Sequence, residues 1–228
     1  MRATVLRRDA LSIADSFITL GLALAIVAFV AQTLMHLTDV YLLDRQLQFI
    51  NADEEANIPT WASASSAFVA AVAALLLAVA SGRRVLYGGL AALLGFMSLD
   101  DAVQVHERIV HRRVHSLGPI HDAARIVWPL LYLPLLILGF VLLVLAARAL
   151  TTRPRVCVWL GLGLLVASVG AEFVGTLILE LGATKMSLLY TLEVIVEEGA
   201  ELVGWIAIAV GLLAGAIDMA ERHHDSVA

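Results

Sequence analysis

The feature that most limits what this chain can become is a set of six apolar runs separated by short polar connections. They lie at about 17–37, 59–80, 85–105, 126–147, 156–179 and 188–217. Roughly 20 apolar residues in helical form cross a hydrocarbon core about 30 Å thick. With no water to satisfy backbone polar groups there, each span must close its own hydrogen bonds, and a run of this length does so as a helix. The sequence therefore predicts an all-α fold, a polytopic membrane helix bundle with six transmembrane helices, with residues 1–228 forming a single membrane domain. Composition agrees: 61% of residues are hydrophobic and 15% charged, against about 45–50% and 25% in soluble domains. Membrane lipids are the expected surroundings. The net charge of −5 argues against a nucleic-acid partner, which selects a basic face. One cysteine, Cys157, cannot form an internal disulfide, and no protein partner can be named.

Arg2, Arg7 and Arg8 precede the first run and give it the outline of a signal peptide. The apolar region of such a peptide is only about 7–15 residues long, so this run is expected to stay as the first span. His36, at its far end, reads as a hydrogen-bonded interfacial histidine. The connection 39–57 is acidic, and Asn57-Ile-Pro-Thr-Trp61 opens the second span with a proline suited to a first helical turn and an interfacial tryptophan. Nothing marks a break in the third helix before Gly118-Pro119, so it is expected to continue beyond the membrane as an amphipathic extension. Pro134 is expected to kink the fourth span. Six spans put both termini on one side, together with Arg2, Arg7, Arg8, Arg83, Arg84, Arg148, Arg153, Arg155 and Arg222. Arg45, Arg108, Arg112, Arg113, Arg125 and Lys185 fall on the other side. The positive-inside rule then favours cytoplasmic termini.

Acids interrupt three of these runs. The last one carries Glu193, Glu197, Glu198 and Glu201 in its first half and no charge from Leu202 to Ile217. At 1.5 Å per residue from the terminal side, Asp100 lies roughly 22 Å deep, and Glu172 and Glu201 roughly 24 Å deep. Ionisable groups inside a membrane are costly and mark functional sites by default. Faces agree with depths: Asp100, Gln104, Glu107 and His111 share one stripe of the third helix, and Glu193, Glu197 and Glu201 form another on the sixth. Acids so crowded want protons, cations or basic partners. The plain alternative is that Arg108, Arg112, Arg113 and Lys185 neutralise them.

The candidate metal ligands are Asp100, Asp101, His106, Glu107, His111, Glu172, Glu197, Glu198 and Glu201. Carboxylates with a few histidines suit iron, manganese or zinc; carboxylates alone suit calcium or magnesium, so the metal's identity stays open. Di-iron bundles use Glu-x-x-His, a spacing that none of these acids makes. His106 and His111 are five apart, whereas the zinc-protease motif needs four. A proton or cation pathway could use the same acids, although no inverted repeat is evident and the charges stop at one depth. A lipid-facing hydrolase using Ser66 or Ser98 is a weaker outline, resembling intramembrane ceramidase-type hydrolases. No catalytic residue can be assigned.

Three stretches, Asn57-Ile-Pro-Thr-Trp-Ala-Ser63, Phe96-Met-Ser-Leu-Asp-Asp-Ala-Val-Gln-Val-His-Glu107 and Thr191-Leu-Glu-Val-Ile-Val-Glu-Glu-Gly-Ala-Glu201, resemble signatures of an uncharacterised group of bacterial polytopic membrane proteins. That resemblance implies a bacterial inner-membrane location and no activity. The expectation is a membrane protein with an acidic, histidine-flanked site in the outer third of the bilayer. It would bind a divalent metal for hydrolytic or redox chemistry on a membrane-associated substrate. Transport of protons or cations is the alternative, and a purely structural role the default.

Overall fold

The computed structural model describes residues 2–54, 56–105 and 123–227, with side chains described from residue 13 and excluding 123–130 and 223–227. Six helices follow one another: α1 (Arg2–Leu42), α2 (Ile58–Ser81), α3 (Arg84–Val103), α4 (Ala123–Ala149), α5 (Thr152–Glu180) and α6 (Leu188–Val227). Each is long and apolar enough to cross a membrane, and no strand occurs among the described residues. A short 3-10 turn, Gln48–Ile50, interrupts the α1–α2 connection.

The helix that carries the glutamates is the post of the bundle. In the most apolar window of α6, 72% of residues are buried, against 11% in α1. It packs along α5, α2 and α1, while α3 packs on α2 and α4, and α4 also touches α5. Lipid is as apolar as a leucine side chain, so helices in a membrane associate through close packing rather than burial from water. The contacts show this. The buried face of α2 is a row of alanines from Ala64 to Ala78. A Cβ on Gly161 of α5 would stand 2.5 Å from the Gly204 carbonyl oxygen of α6, so glycine there lets two backbones touch.

Helix ends follow local chemistry. Asn57 caps α2, its Oδ1 accepting the Thr60 N–H at 2.7 Å with Pro59 in the first turn, and Gly82 closes α2 in the left-handed region. Trp61 is 70% exposed, as an interfacial anchor should be. Arg155 donates to the carbonyls of Ala147, Arg148 and Leu150, filling acceptors that the end of α4 leaves open.

One expected feature is overturned. The third helix does not run on: it stops at Val103, where Gln104 turns left-handed (φ 57°) and donates its N–H to the Asp100 carbonyl. A single left-handed non-glycine residue costs roughly 1–2 kcal/mol, and neither Gly nor Pro signals it. The expected stripe is therefore broken at Gln104; Glu107 and His111 lie outside the described residues.

Candidate functional site: a polar layer at the acidic end

The end of the bundle where α1 finishes and α2 begins holds the polar layer. Its lid is the α1–α2 connection, folded down by the 3-10 turn. Asp39, wholly buried, accepts the Leu47 N–H with Oδ1 and the Asn51 Nδ2 with Oδ2, both at 2.8 Å. Asn51 Oδ1 accepts the Asp53 N–H at 3.0 Å and lies 3.1 Å from His36 Nδ1. Asn57 Nδ2 donates to the Asn51 carbonyl at 2.6 Å. The network thus links α1, the turn and the cap of α2 within the first 60 residues.

A second group ties this lid to α6. Asp53 bonds to Arg45, to the Tyr190 hydroxyl and, at 2.8 Å, to Lys185 Nζ. Burial alone would raise its pKa. The hydrogen bonds from Lys185 and Tyr190, the Lys185 charge and the Arg45 hydrogen bond outweigh that, so Asp53 ionises below the ordinary carboxylate value. Tyr41 of α1 adds a long 3.4 Å contact to Thr191 of α6.

The predicted acids fall into three places. On the α5 side of α6, the Glu193 carboxylate lies over Gly175, where a Cβ would come within 2.5 Å of Oε2. Interpolating between that contact and the Gly161–Gly204 contact puts Glu172 level with Val196, beside Glu197. Glu201 follows on the same drifting stripe and accepts the Trp205 Nε1–H at 3.2 Å. Glu198 sits about 140° around the helix from Glu193. Leu202, one turn on from Glu198, belongs to an apolar cluster with Ala25 of α1 and Cys157 of α5, against which Ala62 of α2 packs. Asp100 and Asp101 belong to a third place: buried Asp100 accepts the Tyr132 hydroxyl of α4 at 3.1 Å, and α2 is the element that packs against both α3 and α6. His106, Glu107 and His111 lie outside the described residues. Among the described residues no three His, Cys, Asp or Glu side chains form a group that could hold a metal ion.

The serines weighed as nucleophiles are engaged elsewhere. Ser98 Oγ donates across to the Ala64 carbonyl at 2.7 Å, and Ser66 Oγ to the Ala62 carbonyl at 2.8 Å. Both act as packing hydroxyls. Cys157 is buried among Ala25, Leu202 and Ile206 as a small apolar residue.

Sequence reasoning missed Gln32, Asp39 and Asn51, and with them the second face of His36. Gln32 and His36 are 3% and 1% exposed, and neither amide atom of Gln32 nor His36 Nε2 has a hydrogen-bond partner among the described residues. Their i, i+4 spacing on the buried stripe of α1 was the available signal.

No curated protein and no solved structure matches the chain. A family model does, over residues 17–216, a range that includes part or all of each of the six helices. The chain belongs to the family described as Domain of unknown function (DUF8692).

Proposed function

We propose that this protein binds a divalent cation in its acidic layer, entering from the end that carries the α1–α2 lid. The feature that supports this most is the row of Glu193, Glu197 and Glu201 along about 12 Å of α6, with Glu172 of α5 interpolated to the same stretch, inside helices that are otherwise apolar. Carboxylate oxygens are the donors that hard and borderline divalent ions select. Closely spaced acids in a poorly hydrated site need compensating positive charge or protons. Asp100 and Asp101 form a separate acidic edge on α3, and His106, Glu107 and His111 would act from the segment that follows it. A hydrolytic or redox step on a membrane-associated substrate is the chemistry such an ion would serve. The uneven arginine distribution favours termini in the cytoplasm and the acidic end outside, and the membrane in this reading is a bacterial inner membrane.

Metal analysis of detergent-purified protein tests the reading. At least near-stoichiometric divalent metal is expected, and Glu172→Gln and Glu193→Gln variants that still purify as folded protein should hold about one equivalent less. Metal-free wild type would overturn it. The second reading, proton or cation transport, draws on the same intramembrane acids. The inner half of α6, Leu202–Ile217, has no charged residue to continue a path. Metal-free protein that carries pH- or voltage-dependent flux in liposomes would establish it instead.

A further inference from the structure

We infer that Gln32, His36 and Glu198 form a second, nitrogen-containing cation site between α1, α2 and α6, selective for a transition ion such as zinc or cobalt(II). It is distinct from the all-carboxylate layer on the α5 side.

Contacts along α1 and α6 set its level. Gly21 faces Val210, Phe29 covers Gly199 and Tyr41 reaches Thr191, so the two helices are antiparallel. Interpolation places Gln32 level with Glu197 and Glu198 and His36 level with Val194. Gln32 and His36 are four residues apart, which puts both side chains on one helical face. That face is the buried one, continuing from Ala25 through Gln32 and His36 to Asp39.

The imidazole is oriented as a ligating histidine is. Asn51 cannot flip, because its Nδ2 donates to Asp39 and its Oδ1 accepts the Asp53 N–H. The Oδ1 atom 3.1 Å from His36 Nδ1 therefore assigns the ring proton to Nδ1. The Ala52 N–H also points at that nitrogen, at 3.3 Å the longer of its two hydrogen-bond contacts. Nε2 is left as a neutral lone pair, and fixing one ring nitrogen through an outer hydrogen bond is how proteins present the other to a metal.

A buried amide and a buried imidazole nitrogen without hydrogen-bond partners are both expensive in an apolar helix interface. A cation taking Nε2, the Gln32 carbonyl oxygen and one Glu198 oxygen would satisfy the acceptors and leave a coordination position open. Imidazole favours zinc, cobalt, nickel or iron over calcium and magnesium.

Cobalt(II) titration of the full-length protein in detergent, followed by visible absorption and bound-metal analysis, tests this. Wild type should bind one equivalent of cobalt that zinc displaces and a large excess of magnesium does not. Gln32→Leu, which removes no other hydrogen bond among the described residues, should weaken that equivalent at least tenfold. His36→Ala should abolish it, and Glu172→Gln should leave it intact. Because His36 also holds Asn51, the Gln32→Leu result decides if His36→Ala fails to fold. Retention of the zinc-displaceable cobalt in Gln32→Leu, or its absence from wild type, overturns the site. Loss of cobalt in Glu172→Gln with retention in Gln32→Leu would assign the ion to the carboxylate layer alone.

Discussion

Asp53 and Lys185, 132 positions apart in the sequence, meet at 2.8 Å and clamp the α1–α2 connection to the start of α6. Arg45 and Tyr190 join the same carboxylate, whose side chain is 2% exposed. This clamp closes the lid over the polar layer, so its protonation should govern how firmly the lid stays shut.

The sign follows from the depressed pKa of Asp53, which lies below its ordinary value of 3.8. A carboxyl that ionises more readily when folded stabilises the fold above the unfolded pKa. That stabilisation fades as pH falls through 3.8 toward the folded value. Thermal unfolding of the detergent-solubilised protein should therefore show an acid limb beginning near pH 4. Asp53→Asn should lower stability at neutral pH by about 2 kcal/mol, the scale of hydrogen bonds to a charged group, and flatten the acid limb. An unchanged pH profile in that variant would remove Asp53 from the clamp.

Asp39 offers a sharper test of the lid, since its two oxygens accept from two different donors, Leu47 N and Asn51 Nδ2. An asparagine here can accept with only one end; whichever way it turns, an NH2 faces a donor. Asp39→Asn should therefore lose most of what Asp39→Ala loses, about 1–3 kcal/mol. Limited proteolysis across 43–57 should accelerate in both variants. If Asp39→Asn behaves as wild type, the buried acceptor pair is not what holds the turn.

How far the chain could be read without its structure depends on which residues act locally. Six spans were legible because an apolar run of membrane length leaves the backbone little choice, and the Asn57–Pro59 cap because its chemistry lies within four residues. The end of α3 was not: Gln104 is an ordinary helix former, and its left-handed turn depends on how the chain must leave the bundle. Expected depths for Asp100, Glu172 and Glu201 could be counted along the sequence, but the division of the α6 glutamates between two faces, with Glu198 apart from Glu193 and Glu201, could not, because it depends on which helices flank α6. Asp39 and Asn51 sit in a polar connection that reads as solvated. Only the 3-10 turn, by returning Asn51 over His36, makes them interior, and that return is a tertiary event.

Three glycines of α5 separate close packing from mere helix propensity. Gly163 has nothing within 4 Å of an added Cβ, Gly161 would press on the Gly204 carbonyl oxygen, and Gly175 would press on the Glu193 carboxylate. Gly163→Ala should be neutral or stabilising by up to about 1 kcal/mol, the propensity difference between the two residues. Gly161→Ala meets backbone that cannot step aside and should destabilise by about 1–3 kcal/mol. Gly175→Ala meets the end of a flexible side chain, so it should cost less stability than Gly161→Ala while displacing Glu193 from its seat. Unfolding midpoints in a single detergent should rank the variants Gly163→Ala, Gly175→Ala, Gly161→Ala from most to least stable. Divalent-metal content should fall in Gly175→Ala and not in Gly163→Ala. If Gly175→Ala keeps both its metal and its stability, Glu193 is not held where the proposed carboxylate layer needs it.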